Sequence, residues 1–518
     1  MLERYTVGNL VFAYNYPFVG RSVIYTSANE GDINERTVPK IISGAMLRHE
    51  KNRAEESYLY NYWKGYQPIL NRQKNVRPEI NNKLVVNLAY QIVRNANGYF
   101  LGEPIKYTSK DAECRDDVEK LNMYMDELDK AAEDMDIGEY ASVCGTAYRL
   151  VSYNEESDVS ADVPPFKVLT LSPFSTFVVY STAAGNPPML GVTYYDILND
   201  YGGIEGRVYT AYDKHYQYQY TVTGAGTSVT AEDLDEGFPK AHLLGDIPIV
   251  EYPNNKSRMG DFESVITVLN AINESESDRV NSVQQLVQSI LVFKNCHLRT
   301  AKESKDGVSD LEKLKNGGAL EMESTTTSPA DVQYVSCGID QGQAETLTKT
   351  LVDYVYAITG IPDRNNKSGG TGDTGDAVYL RDGFQNLEIV ARIKQRQFKK
   401  SEKRMLRMVC VLMNVYEGTM LHLPHIEVNF VRNRTNNLLS KAQAMQILHN
   451  MQVFDPVDVI TLGNITEMPG EMAERGERYW KNRREELARE TGTNAEAPGS
   501  TVQRVEQPET ANLREETG

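Results

Sequence analysis

One glycine-rich segment, DRNNKSGGTGDTGDA at 363–377, carries the residues of this chain best suited to bind an anion. Glycines can let backbone N–H groups cradle a phosphate at the start of a helix. A nucleotide-binding loop of this kind continues with Gly-Lys-Ser/Thr after a buried strand, whereas Gly-Asp-Ala stands at 375–377 here and a predicted helix precedes the segment. We therefore interpret Asp373 or Thr374 as the cap of the following helix, with Asp376 in its first turn, where a carboxylate complements the helix dipole.

No other combination of residues indicates catalysis or a cofactor. The seven histidines are scattered, and the sequence signatures of hydrolases and kinases are absent. Asp373, Asp376 and Asp382 lack the alternating spacing of a calcium loop. The five cysteines never form a CxxC pair, so neither a zinc site nor a disulfide framework is expected. We predict no catalytic residue, no metal and no cofactor.

A dense series of cations follows the glycine-rich segment in a long predicted helix. Helical spacing places five of them on one stripe: Arg392, Arg396, Lys399, Lys403 and Arg407. Lys394, Lys400 and Arg404 lie off this stripe, and Glu402 is the single acid among these cations. The stripe suits one of two roles, contact with phosphates or a solvated or subunit-bridging face that pairs with carboxylates of a neighbouring copy. We favour the second role.

The composition argues against tight binding of nucleic acid. The 518 residues include 72 Asp and Glu against 55 Lys and Arg, which gives a formal net charge of -17, and an acidic chain does not neutralise phosphates. A chain of this length forms more than one packed region. No stretch reaches the roughly 20 apolar residues of a membrane span, and the first residues lack a secretory signal. We expect a protein made and used in a cytoplasm.

The spacing of apolar residues along the chain predicts the elements that would position these residues, and it changes between helical and strand periodicity. Helical periodicity predicts helices over 38–66, 83–102, 116–134, 260–293, 341–359, 376–416 and within 438–487. In the second of these helices, Leu84 and Leu88 fall on one face. Alternation predicts an antiparallel sheet between 145 and 252 and a strand at 425–433, and short strands ALEME and DVQYVSC in an irregular module between 294 and 340. We therefore predict an α+β fold.

This order of elements resembles the portal proteins of tailed bacteriophages, particularly the long-tailed siphophage branch that infects Gram-positive hosts. The resemblance covers residues 45–485. It rests on four motifs together: YNYWKGYQPILNR at 60–72, NNKLVVNLAYQIVRNANGYFLGEPIKY at 81–107, SDRVNSVQQLVQSILVFKN at 277–295 and ITGIPDRNNKSGGTGDTGDAVYLR at 358–381.

The resemblance implies a multi-region portal fold. Its parts are an N-terminal arm, a wing of helices and sheet, a stem of two helices, a small α/β clip inserted between them, a tunnel loop, a tunnel helix, a wing-closing strand, a helical crown and a disordered tail. The respective boundaries are 1–35, 36–260, 261–288 with 341–360, 289–340, 361–376, 377–415, 416–434, 435–490 and 491–518.

The resemblance also implies a ring of twelve copies at one vertex of the virion capsid, assembled in the host bacterial cytoplasm. Double-stranded DNA would be packaged and ejected through it without sequence-specific contact. Arg364 and Lys367 would touch phosphates, and the loop hinges would be Gly369, Gly370, Gly372 and Gly375. The implied partners are the terminase large subunit, a head-completion adaptor, and the major capsid and scaffolding proteins, with no membrane.

Two other functions stay open at this point. One is another head–tail connector or minor capsid protein, which would share the acidic, tyrosine-rich composition; the length and the stem–clip–stem order argue against it. The other is a nucleotide-dependent DNA-processing enzyme built around the glycine-rich segment, and the missing Gly-Lys-Ser/Thr argues against it. We expect a protein that is not an enzyme.

Overall fold

A computed structural model of the chain describes residues 4–7, 10–13, 20–75, 78–157, 163–224, 226–287, 290–295, 298–304, 306–317, 329–335, 341–362, 384–430, 432, 438–451, 456–463 and 469–491. The chain divides into two compact units, 1–433 and 434–518. The first unit combines helices with mixed and antiparallel sheets, which confirms the predicted α+β class.

The elements of the first unit follow one another in this order: β1 Arg4–Val7, β2 Leu10–Ala13, β3 Ile24–Thr26, α1 Val38–Trp63, α2 Leu88–Leu101, β4 Lys106–Ser109, α3 Arg115–Glu127, α4 Lys130–Cys144, β5 Thr146–Tyr153, β6 Phe166–Leu171, β7 Thr176–Ser181, β8 Pro188–Leu198, β9 Ile204–Tyr212, β10 Tyr216–Thr223, β11 Lys240–Ala241, β12 Ile249–Pro253, α5 Ile266–Val287, β13 Ile290–Lys294, α6 Asp310–Gly317, β14 Asp331–Val335, α7 Gln341–Thr359, α8 Phe384–Glu417 and β15 Ile426–Asn429. The second unit contains α9 Leu438–Asn450, α10 Pro456–Gly463 and α11 Pro469–Thr491, in which α10 packs against both of its neighbours.

Two sheets, not one, occupy the region where alternation predicted a single antiparallel sheet. One has six strands in the order β11-β10-β9-β8-β7-β3, and the other has three in the order β12-β5-β6. The prediction was wrong because alternation reports only that a strand has two faces, while the pairing of strands depends on distant partners. The strand β3, from the segment predicted as an arm, pairs in parallel with β7 at the edge of the larger sheet.

Helix α1 covers one face of the six-stranded sheet. Its buried residues Ile42 and Met46 are one turn apart, and they pack with Val179 and Leu190 of the sheet. This apolar contact is the reason that the start of α1 is helical and buried although its sequence has only a weak periodicity.

Three predicted helices end or begin elsewhere. The helix predicted over 260–293 ends at Val287, and Ile290–Lys294 form the strand β13 instead. The acidic helix predicted over 116–134 is split into α3 and α4, because Asp129 adopts a left-handed conformation with φ of 49°, which Asp tolerates better than most residues. Helix α2 begins at Leu88, so Leu84 does not share a helical face with it and is 38% exposed.

Helices α5 and α7 pack against each other, and the strands β13 and β14 between them in sequence form an antiparallel pair. The first half of α5 is anchored in apolar contacts, since Leu269 and Ile272 are buried in a cluster that includes Val355 of α7. The second half is different, because Val280 and Val283 are 42% and 52% exposed.

Helix α8 is the longest described element. Its 34 residues span about 51 Å at 1.5 Å per residue. The second half buries an apolar face, including Met405, Val409 and Met413, against α3, α4 and the three-stranded sheet. The strand β15 follows α8 and pairs with β4, whose residues lie some 320 positions earlier in the chain.

Candidate functional site

The predicted phosphate contacts, loop hinges and helix-cap residues of the glycine-rich segment lie outside the described residues. These are Arg364, Lys367, Gly369, Gly370, Gly372, Asp373, Thr374, Gly375 and Asp376. The start of the predicted 377–415 helix lies outside them as well, and the described helix α8 begins at Phe384.

Both flanks of that segment meet in the described structure. Gly360, just after α7, has a φ of +73°, which glycine adopts without strain. A Cβ atom placed on Gly360 would lie 3.1 Å from Cγ2 of Val390 in α8, so a larger residue would be crowded there. Ile361 is buried in one apolar cluster with Leu387. The end of α7 and the start of α8 are therefore packed together.

A buried ion-pair network fixes the middle of α8. Glu402 is fully buried and contacts Lys130 of α4 at 2.7 Å and Arg149 of β5 at 3.4 Å. Asp134 contacts the same two cations, at 2.7 Å from Lys130 and 2.6 Å from Arg149. Two cations thus meet two carboxylates, so the network is electrically balanced, as a buried set of charges must be.

Two tyrosine hydroxyls complete this network. Tyr107 and Tyr252 donate to the Glu402 carboxylate at 2.5 and 2.8 Å. Burial would raise the pKa of Glu402, but Lys130 and Arg149 outweigh burial and hold its pKa below the usual value. Burial, together with the charge of Glu402, raises the pKa of both tyrosines, which stay protonated donors.

Two further ion pairs hold the base of α5. Lys394 of α8 is buried and contacts Asp261 at 2.5 Å and the Ser142 hydroxyl at 3.0 Å. Glu263 accepts from the Arg21 guanidinium at 2.6 Å and from the Gly260 backbone N–H at 2.9 Å. The start of α5 is therefore tied to α8 and to the segment before β3.

A buried carboxyl lies close to these ion pairs. Glu56 of α1 is 2% exposed, and one of its oxygens accepts from the Thr146 hydroxyl at 3.3 Å. Burial raises the pKa of Glu56 to about 8, despite the opposing effect of Arg21. Glu56 is therefore mainly protonated at neutral pH.

A ladder of hydrogen bonds ties α5 to the extended segment 82–86. The side-chain oxygens of Asn273, Ser277 and Asn281 accept the backbone N–H groups of Val86, Leu84 and Asn82 at 2.8, 3.0 and 2.8 Å. The two periods match, because four helical residues rise about 6 Å and two extended residues about 6.7 Å. We call this contact the polar ladder.

The five cations of the predicted stripe take different positions. Arg392 contacts Glu388 at 2.7 Å but is 62% exposed, Lys399 contacts Glu427 at 2.5 Å, and Arg407 is 60% exposed at 3.7 Å from Asp246. The hydrogen bonds from Lys110 and Lys399 lower the pKa of Glu427 to about 2. Arg396 and Lys403 are exposed.

The cations placed off the stripe require a correction. Lys400 is exposed and belongs with Arg396 and Lys403, whereas Lys399 is half-buried at the edge of that face. Arg404 makes a two-pronged contact with Asp246 at 2.6 and 2.8 Å. The sequence places these residues on the helix, but only the packing of α8 decides which of them reach solvent.

Sequence reasoning missed the network and the ladder. A signal for the first existed: Glu402 falls on the apolar stripe of α8, between Phe398 and Met405, where an unpaired charge is unfavourable. A signal for the second is the spacing Asn273-Ser277-Asn281, three polar residues on one helical face.

Within the described ranges, no group of His, Cys, Asp and Glu side chains is arranged to hold a metal ion. Nor does any helix there have the length and apolar character needed to cross a membrane.

The described chain thus combines the paired helices α5 and α7, which have the β13–β14 pair between them in sequence, with a body of helices and sheets. The family described as "Phage portal protein, SPP1 Gp6-like" matches residues 47–467, about four fifths of the chain. The chain therefore belongs to this portal protein family of tailed phages. No curated protein matches the chain.

Proposed function

We propose that this chain is the subunit of a twelve-membered ring at one capsid vertex, through which double-stranded DNA enters and leaves. The observation that supports this proposal most strongly is the family match over 47–467. Membership supports a portal role at the capsid, and portal proteins are not a family of enzymes. The ring size, the DNA channel and the siphophage branch of Gram-positive hosts are parts of the proposal.

We assign the regions as the resemblance to portal proteins implies them. The wing is 36–260, the stem is 261–288 with 341–360, the clip is 289–340, the tunnel loop is 361–376, the tunnel helix is 377–415 and the crown is 435–490. The packing of α5 against α7, with β13 and β14 between them in the chain, supports a stem that carries a clip. The buried contacts of Asp261, Glu263 and Gly360 support a rigid root for the stem and for the tunnel loop.

The proposed channel passes DNA without holding it. A chain with a formal charge of -17 offers few deep phosphate-binding positions, so a duplex could move from one register to the next. Arg364 and Lys367 of the tunnel loop would supply light, sequence-independent phosphate contacts, with Gly369, Gly370, Gly372 and Gly375 as hinges.

The proposed partners are those that the resemblance to portal proteins implies. The terminase large subunit would supply ATP hydrolysis and dock on the clip, and a head-completion adaptor would replace it when the capsid is full. The major capsid and scaffolding proteins would meet the wing.

Electron microscopy of the purified full chain tests the ring. We expect closed rings with a central hole wide enough for a duplex, and no ATPase or nuclease activity. A monomer that hydrolyses ATP would contradict the proposal.

The loop contacts need a separate test, in which Arg364→Ala/Lys367→Ala is placed in the phage. We expect reduced packaging or retention of DNA, and unchanged values would show that these contacts are dispensable.

A further inference from the structure

The side of α8 that faces solvent carries an unusual sequence of side chains. It begins with Ile389 and Ile393, which are 52% and 53% exposed, and continues with the exposed cations Arg396, Lys400, Lys403 and Arg407. The steps between these six residues alternate between three and four, so they lie on one helical face. We call them the outer face of α8.

Most cations of this face have no acidic partner in their own chain. Among the described residues, Arg396, Lys400 and Lys403 form no salt bridge, and the Arg407 guanidinium lies 3.7 Å from Asp246, which is already engaged by Arg404. A row of free cations beside two exposed isoleucines is a surface suited to a partner that is both acidic and partly apolar.

Helix α3 presents a surface with the opposite charge. Asp116, Glu119, Met123 and Asp126 follow one another at steps of three and four and are exposed, Met123 by 56%. The other side of α3 is buried in the core through Val118, Leu121, Tyr124 and Met125. We call these four exposed residues the acidic face of α3.

The cationic part of the outer face matches the acidic face in length. From Arg396 to Arg407 the outer face of α8 spans about 17 Å, and from Asp116 to Asp126 the acidic face of α3 spans about 15 Å. They do not meet within one chain, because no salt bridge joins them among the described residues and α3 turns its apolar side toward the core that it shares with α8.

We propose that the acidic face of α3 in one copy binds the outer face of α8 in the next copy. The inference rests on the proposed ring, which it deepens by naming its interface. Two different patches that bind each other make a head-to-tail contact. Such a contact closes into a ring when the rotation between neighbouring copies completes a full turn in a whole number of steps. A second copy fits better than DNA, because the acidic face of α3 carries the exposed apolar side chain of Met123 beside its carboxylates, whereas a phosphate backbone offers charge alone.

Charge reversal tests this interface. Lys400→Glu/Lys403→Glu places carboxylates opposite the acidic face, so we expect loss of the ring and accumulation of the 58.3 kDa chain in mass photometry. Lys40→Glu/Lys256→Glu is the matched control, since it makes the same charge change at exposed lysines elsewhere. The control is expected to assemble as the unmodified chain does, and circular dichroism checks that both variants are folded.

A charge swap makes the test specific. Asp116→Lys/Glu119→Lys is expected to abolish the ring by itself and to restore it when combined with Lys400→Glu/Lys403→Glu in one chain. Rings that persist in either reversed variant, or a combined variant that stays monomeric, would overturn the interface. If the Lys400→Glu/Lys403→Glu variant still forms rings but no longer packages DNA, the outer face would contact DNA and not a neighbouring copy. An unmodified chain that forms no ring would reject the proposed function itself.

Discussion

At the scale of single residues, α8 depends on one acid that a helical wheel places among apolar side chains. Glu402 takes hydrogen bonds from Tyr107 and Tyr252 and contacts Lys130 and Arg149, so each of its oxygens is satisfied. Burying charges is costly unless they are paired. The role of Glu402 is therefore to balance, together with Asp134, the buried charges of Lys130 and Arg149.

Replacing Glu402 by Gln tests this balance. The change leaves Lys130 and Arg149 with Asp134 alone, so one positive charge is buried without compensation, and we expect the free energy of unfolding to fall by about 3–5 kcal/mol. Urea unfolding followed by Trp63 fluorescence, in a Trp480→Phe background, measures it, because the chain has 2 Trp. Lys256→Gln, at an exposed lysine outside the proposed interface, serves as control, with an expected change within about 0.5 kcal/mol. A loss below about 1 kcal/mol for Glu402→Gln would argue against the balance.

Glu56 predicts a pH dependence of stability. Its pKa of about 8 in the folded state lies above the value of about 4.3 for the unfolded chain. The folded state therefore keeps a proton that the unfolded state releases, and the stability due to this group is complete below about pH 4 and is lost as the pH rises toward 8.

Glu56→Gln should remove that dependence. The free energy of unfolding of the variant, taken relative to that of the unmodified chain, should rise by a few kcal/mol from pH 5 to pH 8, since each pKa unit corresponds to about 1.4 kcal/mol. Urea unfolding of both chains at the two pH values provides the comparison. A constant difference between them would mean that Glu56 is ionised in the folded state.

At the scale of elements, polar contacts hold the second half of α5 in place more than apolar contacts do. Asn273, Ser277 and Asn281 are buried on one side, while Val280 and Val283 are exposed on another. The polar ladder therefore braces a helix that apolar packing alone would leave loosely held.

Amide hydrogen exchange tests the polar ladder residue by residue. We expect the amides of Asn82, Leu84 and Val86 to exchange more slowly than those of Lys83 and Val85, which have no such acceptor on α5 within the described structure. Ser277→Ala should accelerate exchange at Leu84 by about five- to tenfold, since a hydrogen bond contributes about 1 kcal/mol.

Ser275→Ala is the matched control for the ladder. Its hydroxyl contacts Thr348 of α7 at 2.9 Å, on the other side of α5. Exchange at Leu84 should then stay unchanged. Equal exchange along 82–86 in the unmodified chain would show that the ladder does not hold the segment.

At the scale of the whole molecule, the chain divides into two compact units. Among the described residues, the four clusters of buried apolar side chains consist of residues of the first unit, up to Phe430. We therefore expect residues 1–433 to form their core by themselves.

A chain that ends at Asn433 should therefore fold. We expect a cooperative thermal transition with a Tm within about 4 °C of that of the first unit in the full chain, the shift that about 1 kcal/mol produces. Trp63 fluorescence and near-ultraviolet circular dichroism follow it. Loss of the near-ultraviolet signal would show that the core needs residues beyond 433.

The sequence by itself determined the class of the fold, its longer helices and the family, but not the break between α3 and α4 or the helix α6. Helical periodicity, turn residues and motifs are local properties, so the α5–module–α7 order and the departure of the glycine-rich segment from a nucleotide-binding loop could be predicted. Leu269 and Ile272 of α5 are three positions apart, a helical spacing, and both are buried.

Only the tertiary structure decided which buried polar residues join distant elements of the fold. Glu402 meets Tyr107 across 295 positions and Asn281 meets Asn82 across 199, and no local pattern contains such partners. The same holds for the split into two sheets and for the exchange of Lys399 and Lys400 between the edge and the outer face of α8. Burial and pairing depend on what packs against an element, and a sequence read along one helix or strand contains only that element.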